Sequence, residues 1–379
     1  SQRLQLAFSI AKSSMARTGT FPANEAEWRR LEMCFIVLET ILIDRFNEFK
    51  DEFKPIEPLN AIRVSRDIGG AEYREMSLHC VEDLTSHQYV LSELLTERHD
   101  YIDDFSLNIP ATRYYSKSKT TITTGEGGNV PYEVTLAFAY QIDMDIVEGR
   151  DVSKTSGMFR PYFDCWKEFT KSINTAASKM SQVNMVRLDL KRYYDRLKRH
   201  VVQNALRDFL PADFDGVTDD SFMTLIASEA DSKKVDIINW LLEQSFGYEK
   251  FNPKTGAVEE TDHFQGIPQG PDLSSFLANV VLFKIDHVVR EFLEKHKDIN
   301  SGIYPVWYAR YVDDMVLLAD SSTLLAKLRV VVEDAVGELE LELVAKEQPM
   351  PMTPEEFEVY LTQGKALASS GPDGNVELV

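Results

Sequence analysis

The sequence predicts an α+β protein in which an antiparallel sheet with packed helices follows a helical N-terminal extension. The first observation is a pair of apolar runs split by adjacent carboxylates, in Val306-Trp-Tyr-Ala-Arg-Tyr-Val-Asp-Asp-Met-Val-Leu-Leu-Ala-Asp320. Apolar runs can be buried as the strands of a hairpin whereas two charged aspartates cannot, so Asp313 and Asp314 belong at the tip, where a cation would neutralise them. The second is Met185-Val-Arg-Leu-Asp189-Leu, a short apolar run ending in another acid, with Tyr194 five residues beyond Asp189. The third is helical spacing of apolar residues over 24–50 and about 78–98.

Asn24, just after Pro22, stands where it can cap one long packed helix over 24–50. With the second helical stretch, residues 1–100 are expected to be a helical appendage outside the sheet that carries Asp189. Tyr101-Ile-Asp-Asp104 repeats the lettering of Tyr311–Asp314, but it lies between the charged Thr96–Asp100 and the loop-like Ser106–Pro110. With no strand pattern on either side it reads as a solvated acidic turn. From about 107 to 150 short alternating runs surround a loop at Thr124–Asn129. The stretch 201–262 carries an acidic loop, Ala212–Asp220, before a helix near Ser232–Gln244. That loop lacks the twelve-residue register and terminal bidentate Glu of a calcium site and reads as surface.

His263–Leu282 is a Gly/Pro-rich turn opening an amphipathic helix. Gly266 and Gly270 permit close backbone approach, Pro268 stiffens the turn, Gln269 offers an amide, and Asp272 and Ser274 stand where ordinary helix caps would. After the hairpin, a helical pattern over Ser322–Glu342 precedes Leu343-Val-Ala-Lys346. No repeat or low-complexity tract appears.

A chain of 379 residues, 44% hydrophobic, is long enough for two or three domains and a sizeable core. Cys34, Cys80 and Cys165 are widely spaced, which argues against a disulfide framework or zinc site and fits buried thiols in a reducing cytosol, hence a cytoplasmic protein. The apolar stretch Met33–Ile43 carries Glu39 and is too short to span a membrane, and no secretory signal opens the chain. The opening Ser1 suggests a trimmed or incomplete beginning. A formal charge of −20 counts against bulk binding of polyanions. Arg187, Lys191, Arg192, Arg196, Lys198, Arg199 and His200 nonetheless crowd around Asp189, either as a basic groove in an acidic shell or as the solvated face of a helix after Asp195.

At Leu188-Asp189-Leu190 with Tyr194-Asp195, at Gly266-Ile-Pro-Gln-Gly270 through Asn279, and at Tyr311-Val-Asp-Asp314, the chain resembles the reverse transcriptases. The phrasing of Gly266–Asn279 is most similar to the prokaryotic branch, especially the defence-associated and abortive-infection enzymes. The resemblance covers about residues 185–350. It implies a right-hand polymerase: a fingers-like region at 101–184, a palm at 185–350 with an insertion at 201–262, and a short tail at 351–379. Neither a primer grip nor a helical thumb is evident in that tail.

The resemblance implies RNA-directed DNA polymerase activity, by nucleotidyl transfer on two Mg2+ ions, with Mn2+ as a substitute. Asp189 and Asp313 would bridge the ions, Asp314 would support the site, and Leu190 would lend its carbonyl. Tyr194 would pack beneath the sugar as a gate favouring deoxynucleotides, unless it is simply core. Gln269, Gly270 and the finger bases Arg113, Lys117 and Lys119 would contact the nucleotide, although the finger spacing departs from the family's and a solvated loop is the alternative. Lys346 either protonates the leaving pyrophosphate or is a strand-end surface lysine. The implied partners are dNTPs, the DNA product, an RNA template (a dedicated non-coding RNA, or none), and further copies of the chain or a partner defence protein, with no membrane. The implied role is antiphage DNA synthesis. Its alternatives are template-independent synthesis, primed on a protein tyrosine, and a catalytically inactive nucleic-acid-binding scaffold. Tyr194 argues against an RNA-making polymerase.

Overall fold

A computed structural model describes residues 2–17, 21–48, 59–65, 73–102, 135–149, 157–210, 233–247, 250–251, 255, 257–259, 266–299 and 301–362, and structural statements below concern these. The chain begins with helices α1 (Gln2–Arg17), α2 (Phe21–Met33) and α3 (Phe35–Glu48), strands β1 (Leu59–Ser65) and β2 (Tyr73–Leu78), and the long helix α4 (Val81–Ile102). Next come α5 (Met144–Val147), α6 (Tyr162–Ala177), β3 (Asn184–Leu190), the single turn α7 (Tyr193–Arg196), α8 (Arg199–Phe209), α9 (Lys233–Phe246), β4 (Lys250–Phe251) and β5 (Val258–Glu259). Helices α10 (Asp272–Val281) and α11 (Phe283–His296) lead into β6 (Val306–Tyr311), β7 (Asp314–Ala319), α12 (Ser322–Glu338), β8 (Leu343–Glu347) and α13 (Pro354–Thr362).

Two four-stranded sheets result, ordered β2-β1-β4-β5 and β6-β7-β3-β8, and the second is antiparallel throughout. Strand periodicity of two divides its side chains. Val186, Leu188 and Leu190 of β3, Tyr308 of β6, and Met315 and Leu317 of β7 pack on one face in a core shared with α8, α10, α11 and α12. Met185, Ala309, Tyr311, Val316 and Leu318 pack on the other, against Phe169 and Ile173 of α6 and Phe357 of α13. Both faces being covered, the charged side chains of β3 and β7 must collect at one end of the sheet.

Five expectations are corrected. The helix over 24–50 is two helices, broken at Cys34, and Trp28 of α2 and Phe35 of α3 converge on Phe8 of α1 at ring distances of 5.1 and 5.8 Å. Cys34 sits exposed at that break rather than buried, whereas Cys80 and Cys165 are buried. The first hundred residues are not helical throughout, since β1 and β2 form an antiparallel pair and β1 joins β4 in parallel. Nor does the described part of 107–150 hold strands: it contributes the bridges Ala137–Arg310 and Ile142–Phe159 and the one-turn α5. The acidic turn expected at Tyr101–Asp104 is partly helical, because Tyr101 and Ile102 end α4.

Helix α4 is central rather than appended. It is buried on all sides from Val81 to Leu95. Helix α1 lays its stripe of Leu4, Ala7, Phe8, Ala11 and Met15 into the same core. Among the described residues no helix is long and apolar enough to cross a membrane.

The sheet is tied to its helices by a buried ion pair. Arg310 of β6 and Asp286 of α11 have side chains 0% and 1% exposed, with Nε 2.7 Å from Oδ1 and Nη2 2.6 Å from Oδ2. The backbone of Arg310 also holds the segment before α5, donating to the Leu136 carbonyl (2.8 Å) and accepting from the Phe138 amide (3.1 Å). Removing one member of such a pair strands the other charge. Arg310→Met is therefore expected to cost about 3–5 kcal/mol in urea unfolding, and Arg310→Met combined with Asp286→Leu clearly less.

Candidate active site

The β6–β7 hairpin turns on two residues, with Tyr311 paired to Asp314 and Val312 and Asp313 at the tip. Val312 has φ 55°, a left-handed conformation that a β-branched side chain rarely adopts and that costs roughly 1–3 kcal/mol. Packing on either side offsets it. The Tyr311 ring meets Tyr162, Trp166 and Phe169 of α6 at 5.4, 5.0 and 5.7 Å. Asp314, 2% exposed, accepts from Arg187 Nε (3.2 Å to Oδ1) and from Nη2 (3.1 Å to Oδ1 and 3.2 Å to Oδ2).

Arg187 and Asp189 are two apart on β3 and so share a face, the one that receives Asp314. Lys346 reaches the same place from the edge strand β8. Its Nζ lies 2.9 Å from Asp314 Oδ1 and 3.1 Å from Asp189 Oδ1. The β3–β8 register slips here: Arg187 pairs with Glu347 and Leu188 with Ala345, leaving Lys346 as the extra residue of an irregularity of the kind that re-aims a side chain. Leu190 pairs with Leu343, with its side chain buried.

The three carboxylates feel one another. Asp313 is pushed up to about 7, first by burial and then by Asp189 and Asp314. Burial also raises Asp189, a shift opposed by Lys346 and reinforced by Asp314. Among the described residues no three His, Cys, Asp or Glu side chains form a ready cage for a metal ion. The donors still suit magnesium, which takes hard oxygens from one or two carboxylates and completes its shell with substrate phosphates and water. Asp189 and Asp313 are the carboxylates that could serve as such donors, since both oxygens of Asp314 are engaged by Arg187.

The Gly/Pro-rich turn is wedged between two backbones. A Cβ on Gly266 would lie 2.1 Å from the Tyr194 carbonyl oxygen and 2.6 Å from Asp195 Cα, and the Ile267 amide donates to that carbonyl at 2.9 Å. At the other end Gly270 has φ 125°, a Cβ there would meet the Ser77 carbonyl at 3.0 Å, and the Ser77 amide of β2 donates to the Gln269 carbonyl at 2.6 Å. Asp272 is not a helix cap: Pro271 holds the cap position of α10 with no side-chain cap bond, and Asp272 accepts from the Ser14 hydroxyl of α1 at 2.5 Å. Tyr193 ties the same helix down, donating to the Ala278 carbonyl. Tyr194 donates its hydroxyl to that of Tyr140 at 3.1 Å, and burial pushes its ionisation well above the usual tyrosine range.

The bases around Asp189 do not line an open basic groove. Arg187 is buried on Asp314, Lys191 and Arg196 pair with Glu342, Lys198 and His200 with Glu340, Arg199 with Glu243, and Arg192 with Asp195. The structure thus brings together Asp189, Asp313, Asp314 and Lys346, with Tyr194, Gln269 and Gly270 on the adjoining elements. Arg113, Lys117 and Lys119 lie outside the described residues. Sequence reasoning missed Arg187 as the partner of Asp314, although its position two before Asp189 was the available signal. Nothing in the sequence pointed to Tyr140.

No family model and no curated protein matches the chain. Among solved structures it is similar to telomerase from Candida albicans in complex with a TWJ fragment of telomeric RNA, at 13% identity and TM-score 0.41, covering 79% of this chain and 44% of that one. It is also similar to apo telomerase from Candida tropicalis, at 11% identity and TM-score 0.41, covering 83% and 48%. The chain spans about half the length of these structures.

Two tests follow from this geometry. The folded chain holds a proton on Asp313 until about pH 7, whereas an unfolded chain releases it near the ordinary 3.8, so the folded state binds more protons across that window. Ionising Asp313 therefore removes stability as pH rises. In chelator, the melting temperature of Asp313→Asn is expected to climb relative to wild type from pH 4 to 7, and a flat difference would mean that the carboxyl is not raised. Gly266→Ala forces a side chain into backbone that cannot give way, and is expected to cost about 1–3 kcal/mol in urea unfolding.

Proposed function

We propose that this chain is a nucleotidyltransferase of the reverse-transcriptase type, adding deoxynucleotides to a DNA product in an Mg2+-dependent reaction. The observation that carries the reading is the convergence of Asp189 from β3 with Asp313 and Asp314 from the adjoining hairpin at one end of the sheet, with Asp189 and Asp314 sharing one lysine. Asp189 and Asp313 are the residues that would hold two Mg2+ ions, or Mn2+ in their place, with the Leu190 carbonyl beside them. Bound there, these ions would supply positive charge to the attacking and leaving oxygens of phosphoryl transfer.

The chain's own groups bind and orient the substrate. Asp314, clamped by Arg187, holds the hairpin tip, with Asp313 within electrostatic reach of Asp189. The ring of Tyr194, fixed through its hydroxyl, would lie beneath the sugar and exclude a 2′-hydroxyl. The Gly266–Gly270 turn would let the backbone and the Gln269 amide approach the new base pair. An RNA template and a place in antiphage defence rest on the phrasing of Gly266–Asn279, with further copies or a defence protein as partners. A second reading, synthesis without a template and primed on a protein tyrosine, is favoured by the pairing of every base from Lys191 to His200 with an acid, which leaves no open basic track there.

The test supplies the purified chain with Mg2+ and each labelled dNTP, with and without RNA, and digests the products with DNase, RNase or protease. DNA formed only with RNA is the expected result. DNA formed without RNA and shifted by protease selects the second reading. Asp313→Asn is expected to abolish incorporation, and Arg187→Leu to lower it about 10–100-fold through loss of the clamp on Asp314. A biological effect that survives Asp313→Asn with Asp314→Asn would mark an inactive scaffold.

A further inference from the structure

Lys346 has no part in the chemistry just described, yet its ammonium sits at the centre of the acid set. We propose that Lys346 is a built-in counter-ion that gathers Asp189 and Asp314 and must withdraw when a divalent cation binds. The inference rests on the cation-dependent reading of the site and says which residue regulates entry to it.

Nζ is in ion-pair contact with carboxylates on two different strands, 3.1 Å from Asp189 and 2.9 Å from Asp314. It thus bridges the two acids, while the buried Arg187 guanidinium is bonded to Asp314. An ammonium is a compact point charge on a flexible stem, and it cannot share Asp189 Oδ1 with a divalent cation without strong like-charge repulsion.

The two basic partners differ in freedom. The Arg187 side chain is 4% exposed and grips Asp314 through two nitrogens, so it stays. The Lys346 side chain is 27% exposed on the edge strand β8, where the register passes over it, so it can swing to solvent without breaking a ladder pair. The cation thus competes with an internal positive charge, and the hairpin is held together before the cation arrives.

Mn2+ affinity, read by electron paramagnetic resonance at constant pH and low salt, decides the matter for wild type, Lys346→Met and Lys346→Arg. Lys346→Met is expected to bind Mn2+ about 10-fold more tightly and to melt lower than wild type in chelator, with the gap closing at saturating Mn2+. Lys346→Arg, which keeps the charge, is expected to stay close to wild type. Equal or weaker binding by Lys346→Met, with an unchanged circular dichroism spectrum, overturns the proposal; if that variant is misfolded, Lys346→Gln takes its place. Mn2+ bound by neither wild type nor any variant overturns the cation reading itself, and this inference with it.

Discussion

Three carboxylates close together at the end of a sheet buried on both faces repel one another, and each loses hydration that nothing apolar can replace. Much of the local architecture answers that problem. β3 supplies Arg187 from the same face as Asp189, two residues earlier, and β8 supplies Lys346 through a slip in register. The two cations leave the acids unequally compensated. Asp314 is buried and doubly held, Asp189 is shared, and Asp313 is left raised to about 7 at the tip. One cluster of like residues thereby becomes an anchor, a bridge and an acceptor for positive charge.

A second constraint is contact between backbones. Gly266 lies against the Tyr194 carbonyl and Gly270 against Ser77, so the turn that opens α10 is pinned between α7, next to the acid-bearing strand, and the first sheet. Ser14 of α1 reaches Asp272 at the start of the same helix. The opening helix is therefore tied to the start of α10, while its stripe of Leu4, Phe8 and Met15 is buried in the shared core.

The parts legible in the sequence were those whose signal is local. The hairpin followed from two apolar runs that exclude charge, and the wedge at Gly266 from a glycine in a stiffened turn. What escaped depended on partners far along the chain. The bases from Lys191 to His200 resemble a nucleic-acid track until Glu340 and Glu342, well over a hundred residues later, fold back onto them. Strand β1 carries Asn60, Arg63 and Ser65 among its seven residues, so it has no apolar run like those of the hairpin and exists by pairing with β2 and with the distant β4. The break at Cys34 interrupts an apolar stripe that by itself predicts one helix, because both segments are drawn to Phe8.

Val312 carries the hairpin tip in a conformation that glycine would adopt at no cost. Anyone hardening this protein by replacing its least comfortable residue would choose that position first. A glycine there would relax the backbone and also free the tip to sample other turns, loosening the spacing between Asp313 and Asp189. At this one residue, thermostability and the usefulness of the site are opposed, so a screen that selects for heat resistance alone would select against the geometry.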